Sequence, residues 1–257
     1  MRSTWVLFKR EIIRFLRQKS RVIGAVVTPI VFWFLVGGGL GRSFQASIQT
    51  GTEVVNSGGY FEFFFPGILA LSVLFTAIFS TISVIEDRNE GFLQGVLVSP
   101  VSRWSIFLSK ILSGAVLGLM QGLVLIAIAL VTGFSFEFYS IVQAFALLFI
   151  MGAALTALGF VFAWKLDSVQ GYHSIMNVVL MPMWILSGAV FPAQNENFFF
   201  KWATTLNPLS YGMRALRESL SPYPSQHFFQ GSFVMFLLFV ACAFVAVNMM
   251  NQSSKSR

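Results

Sequence analysis

Charge is what this chain has least of. Asp, Glu, Lys and Arg make up 11% of its 257 residues and hydrophobic residues 56%, whereas a soluble domain carries about 25% charged residues. That balance leaves too little polar surface for a soluble protein. The single cysteine, Cys242, sits inside an apolar run and excludes a disulfide framework within the chain. No Gly-x-x-x-x-Gly-Lys-[Ser/Thr] loop occurs, so the chain has no sequence signal for binding ATP. His-Glu-x-x-His, Cys/His clusters and Gly-x-Ser-x-Gly are missing too, which removes the usual signatures of zinc sites and serine hydrolases. The middles of the apolar runs hold almost no carboxylate or arginine, which speaks against an ion-driven transporter working alone.

What is present is a set of apolar runs of about 18 residues or more, the mark of spanning helices. Six spans are expected, near 22–40, 63–85, 106–131, 139–164, 171–191 and 232–250. All but four of the 17 Lys and Arg residues (Arg42, Lys201, Arg214 and Arg217) then lie on the side of the N-terminus. By the positive-inside rule that side is cytoplasmic and both termini are inside. The same distribution accounts for the net charge of +7 without nucleic acid. The run 22–40 is too long for a signal-peptide core and no clear cleavage site follows it, so it reads as retained. The expected fold is an all-α polytopic membrane protein, one transmembrane domain over residues 1–257.

Three segments stand outside the spans. Residues 1–21 read as an amphipathic interface helix, with Trp5, Phe8, Ile12, Phe15 and Leu16 on one face and Arg10, Arg14, Arg17 and Arg21 opposite, its cations near anionic lipid. Residues 192–228 hold pieces too short to span and read as outer re-entrant helices, one of them starting at Asn207-Pro208 as cap and first turn. Residues 86–103 form a charged elbow between the second and third spans. Glu86, Asp87, Arg88 and Glu90 open it, Gly91 turns it, and an apolar run from Phe92 to Val98, interrupted by Gln94, ends at Ser99-Pro100. Charges of this kind set the register of a docking surface, and the apolar run supplies its buried contact.

Inside the spans, Ser72, Thr76 and Ser80 form a weakly polar stripe equally able to face a conduit or another helix. Gly114, Gly118 and Gly122 form a small-xxx-small packing seam. Gln170, His173, Ser174 and Asn177 share a face of the fifth span, suited to interhelical hydrogen bonds or to a substrate-facing surface. No second ligand at metal spacing accompanies His173.

Taken in order, these segments resemble the permease of a type-2 ABC exporter, in the lipooligosaccharide and drug-export branch. The family's elbow pattern is an acidic run, Arg, Gly-Thr-Leu-Glu, an apolar pair and Ser-Pro. Residues Glu86 to Ser102 match it, with Phe92 in place of Thr and Gln94 in place of Glu. The second mark is Ser187-Gly188-Ala189-Val190-Phe191-Pro192, then Asn207-Pro208-Leu209-Ser210-Tyr211 with Arg214 and Arg217 following. The Phe64-Phe65-Pro66-Gly67 entry to the second span is similar as well.

The resemblance implies two permeases, usually identical, paired in the bacterial inner membrane, each docking a separate ABC ATPase subunit. ATP and Mg belong to that ATPase; this chain would hold no cofactor, no metal and no catalytic residue. The elbow would be the coupling helix, contacting the ATPase through Glu86, Asp87, Arg88, Glu90, Gly91, Phe92 and Gln94. The conduit would be lined by the first, second and fifth spans, including Ser72, Thr76, Ser80, Gln170, His173 and Asn177. The cargo would be amphiphilic: a lipid-linked saccharide, lipooligosaccharide or hydrophobic drug. Two other readings stay open. One is a membrane-embedded lipid-modifying enzyme or assembly factor built around Gln170, His173 and Asn177; the other is a passive channel.

Overall fold

An apolar run in hydrocarbon must close its backbone hydrogen bonds internally, which leaves the helix as the form open to each long run here. A computed structural model describes residues 2–39, 59–190, 198–221 and 226–252. All regular elements among them are helical. In chain order they are α1 (Arg2–Arg17), α2 (Lys19–Phe32, continued by a π turn, Trp33–Gly37), α3 (Gly59–Asn89), α4 (Phe92–Val98), α5 (Arg103–Val131), α6 (Phe138–Lys165), α7 (Val169–Trp184, continued by a π turn, Ile185–Ala189), α8 (Phe198–Leu206), α9 (Pro208–Ser219) and α10 (Phe228–Gln252). Residues 40–58, 191–197, 222–225 and 253–257, and with them parts of the expected outer segment 192–228, lie outside the described residues.

Among the described residues, five helices are long and apolar enough to cross a membrane: α2 with its π turn, α3, α5, α6 and α10. The chain is a multi-pass membrane protein. The expected fifth span takes a different form. Its α-helical part, α7, has only 16 residues. Pro182 within it has no N–H to donate, and Gly188 beyond it adopts a positive φ of 83°. Regular α-helix therefore stops at Trp184 and a wider π turn carries the chain on. The amphipathic segment also ends earlier than expected. Gln18 is non-helical (φ −87°, ψ 82°), so Lys19 and Arg21 belong to α2 rather than to the interface helix.

α3 is the axis of the bundle. It is buried along almost its whole length, and α2, α5, α6, α7 and α9 pack around it. At 1.5 Å per residue it is about 45 Å long, against roughly 30 Å of hydrocarbon. Its end turns therefore project beyond the apolar layer. At the end far from the elbow, Trp33 stacks on Phe61 with ring centroids 4.7 Å apart, and its indole N–H donates to the Phe61 carbonyl at 3.2 Å. The other end is the elbow.

Candidate functional site

The elbow begins inside a helix. Glu86, Asp87, Arg88 and Asn89 form the last turn of α3, not a loop. Gly91 then takes a left-handed conformation (φ 75°) and starts α4. A side chain at that φ is disfavoured, which is why glycine marks the corner. Ser99 closes α4 by donating to the Val96 carbonyl at 2.6 Å, and Ser102 caps α5, its hydroxyl accepting from the Ser105 N–H at 3.2 Å.

The elbow acids are already partnered within the chain. Asp87, 1% exposed, accepts from Arg10 Nη2 at 2.8 Å, from Lys110 Nζ at 2.7 Å and from Arg14. Glu86 accepts from Arg14 Nη2 at 3.0 Å and from Arg21. Glu90 takes the remaining reach of Arg14, at 3.3 Å. On α1, Glu11 is buried and accepts from Arg10 at 2.8 Å, from Ser83 Oγ at 2.9 Å and from Lys110 Nζ at 2.9 Å. Four carboxylates (Glu11, Glu86, Asp87, Glu90) thus meet four cations (Arg10, Arg14, Arg21, Lys110). Burial of so many charges is tolerable only because each finds an opposite charge and further hydrogen bonds.

This network corrects the expected orientation of α1. Arg10 and Arg14 turn inward to α3 instead of standing free near lipid, and Phe15 is buried with them. The open face of α1 instead carries Trp5, Val6, Ile13 and Leu16 beside Lys9 and Arg17. Arg10 also lies over the Phe92 ring, 3.7 Å from its centroid, joining α1 to α4.

The elbow is fastened on its other sides by arginines that cap helix ends, where free carbonyls and the helix dipole favour a cation. Arg88 donates to the Ala163 and Trp164 carbonyls at 2.9 and 2.7 Å and pairs with Asp167 at 2.9 Å, closing α6. Arg103 donates to the Met250 carbonyl at 2.9 Å and to Asn251 Oδ1 at 2.6 Å, closing α10. α4 itself buries Leu93 and leaves Gln94 and Val98 open, Val98 at 88% exposure.

The expected conduit residues divide. Ser72, Thr76 and Ser80 are buried on the face of α3 that meets α5, and Thr76 donates to Gln121 of α5. Gln170, Ser174 and Asn177 lie on an open side of α7. His173 is half-buried and edge-on to Phe79, ring centroids 5.8 Å apart. Among the described residues no group of His, Cys, Asp or Glu side chains is arranged to hold a metal. Glu11, Lys110 and Gln121 were not singled out from the sequence. Each carries a weak signal, a lone polar group set in an apolar or oppositely charged stretch.

An apolar helical bundle with one charge-anchored corner places the chain among multi-pass membrane proteins. The profile of the ABC-2 type transporter family matches residues 2–221. The chain belongs to that family. It is 27% identical over 219 residues to a putative transport permease, ycf38, of Cyanophora paradoxa, covering 84% of this chain and 73% of that one. It is 25% identical over 207 residues to nodulation protein J of Rhizobium leguminosarum bv. trifolii, covering 80% and 76%. Similarity to the probable multidrug ABC transporter permease YbhR of Escherichia coli K12 is 26% over 154 residues, covering 59% and 42%.

Proposed function

We propose that the chain is the transmembrane subunit of an ATP-driven exporter in a bacterial inner membrane, with both termini cytoplasmic. Two copies pair, and each docks one copy of a separate ABC ATPase that holds ATP and Mg. α7 with its π turn serves as a sixth, irregular span. The cargo is amphiphilic, in keeping with the few charges along the helices and with the multidrug designation of one relative. The open polar side of α7, with Gln170, Ser174 and Asn177, suits a surface toward the second copy and the conduit.

The observation that carries this reading is the way α4 is held. It is a short helix with an open apolar end at Val98, joined to α1 through Phe92 and to α6 and α10 through the flanking Arg88 and Arg103. A push on α4 is thereby delivered to several long helices rather than absorbed in a loop. The seven elbow residues have two roles in this scheme. Glu86, Asp87 and Arg88 set the corner within the chain, while Glu90, Gly91, Phe92 and Gln94 stand at the surface that meets the ATPase. The test is Glu90→Lys with Gln94→Lys, both on the exposed side of the elbow, in the reconstituted permease–ATPase complex. The expected result is a folded, membrane-inserted permease whose transport no longer follows ATP hydrolysis. Coupling at the wild-type level would refute the elbow's role.

A further inference from the structure

α1 presents two faces to two different surroundings. Its inner face serves the elbow: Glu11 and Arg14 join the ion network, and Arg10 lies over Phe92. Its outer face, roughly a third of the circumference at ~100° per residue, carries Trp5, Val6, Ile13 and Leu16 with Lys9 and Arg17, all exposed. The sole acid of α1, Glu11, is buried on the opposite side. The cations around Asp87 and Glu86 are Arg10, Arg14, Arg21 and Lys110, while Lys9 and Arg17 stay at the surface.

What meets the outer face follows from its depth. Phe15 packs with Ala25 of α2 and with Leu117, the midpoint of the 29-residue α5. Glu11 pairs with Lys110, roughly 10 Å along α5 from that midpoint. Hydrocarbon extends about 15 Å to either side of the membrane's middle. α1 therefore lies level with the leaflet on the elbow side, alongside the spans rather than beyond them.

An apolar surface edged by cations, with a tryptophan in it, suits the boundary between acyl chains and anionic headgroups. The long stems of Lys9 and Arg17 let their charges reach phosphate there. We propose that the outer face of α1 docks anionic phospholipid of the adjacent leaflet, and that the docked lipid steadies α4. The second part follows because a helix moves as one body. Whatever seats Lys9 also seats the next residue, Arg10, which stands 3.7 Å from the centroid of the Phe92 ring. The inference requires neither a cargo nor an ATPase, so it stands apart from the exporter reading.

The test uses the permease in phosphatidylcholine nanodiscs doped with brominated phosphatidylglycerol or brominated phosphatidylcholine. Quenching of Trp5 is read as the difference between wild type and Trp5→Phe. Brominated phosphatidylglycerol is expected to reach half-maximal quenching at a mole fraction roughly tenfold lower, since each basic residue near an anionic surface is worth about fivefold in affinity. Lys9→Gln with Arg17→Gln should abolish that preference and keep the melting temperature, because neither side chain supports the bundle. In wild type, hydrogen exchange of the α4 amides should slow several-fold when plain phosphatidylglycerol replaces part of the phosphatidylcholine; in the double variant it should not change. Equal quenching by the two lipids, or a preference that survives the double substitution, would overturn the docking surface. Trp5 out of reach of both quenchers would mean that protein or water covers the face, and would overturn it as well. A lipid preference with unchanged α4 exchange would overturn the link to α4.

Discussion

Lys110 sits about two turns into an apolar helix and is buried. It is held by Asp87, Glu11 and Ser83 at 2.7 to 2.9 Å. Removing it leaves two buried carboxylates short of a cation. Lys110→Ala should destabilise the protein by roughly 3 kcal/mol, the low end for a broken buried pair because Arg10 and Arg14 remain. Thermal unfolding in detergent reads this directly. Combining it with Asp87→Ala should recover part of the loss, since the two sites share one network. An additive double variant would mean that Lys110 and Asp87 do not interact as described. Lys110 and Glu11 are visible in the sequence as misplaced charges, but their partners are not. Glu11 finds Ser83 at a separation of 72 residues, and periodicity carries no information about such distant pairs.

Among the elements, the α5 seam shows how unequal three similar glycines can be. A Cβ on Gly114 would lie 2.4 Å from Thr156 Oγ1 and 2.9 Å from Ser80 Oγ, whereas one on Gly118 would meet only Val73, at 3.5 Å. Gly114→Ala should therefore cost about 1–3 kcal/mol by overpacking. Gly118→Ala should be neutral or slightly stabilising, through a helix-propensity gain of up to about 1 kcal/mol. Equal melting temperatures for the two variants would contradict this packing. At the corner, Gly91→Ala forces a side chain into φ 75° and should cost about 1–2 kcal/mol, with little loss of membrane insertion. The positions of the long spans were legible, because about 20 apolar residues in sequence admit few other structures. The ends were harder to read. Glu86 to Asn89 stay helical because cations from α1, α2 and α5 neutralise the acids and Arg88 bonds the carbonyl end of α6, which no local pattern reveals. α7 departs from a regular span where Pro182 and Gly188 interrupt its hydrogen bonding. The inward face of α1 escaped the sequence because amphipathicity shows where the charges lie but not whether lipid or protein meets them.

For the whole molecule, the elbow end is one fastened unit. Arg10 joins α1 to α4, Lys110 joins α5 to α1, and Arg88 and Arg103 hold the ends of α6 and α10. Of the residues in this unit, Gln94 and Val98 of α4 lie open and make no contact with the ion network. The central claim is that this open face receives a separate ATPase. The most direct measurement is purification of the permease from native membranes and quantification of co-eluting ABC ATPase, for wild type and for Gln94→Lys with Val98→Asp. The ATPase is expected to co-elute in stoichiometric amount with wild type and to be lost by roughly tenfold or more from the variant, as for a charge buried at an interface core. The variant itself should remain folded, since neither side chain supports the bundle. An ATPase retained at the wild-type level by the double variant, or none found with the wild-type chain, would contradict the claim.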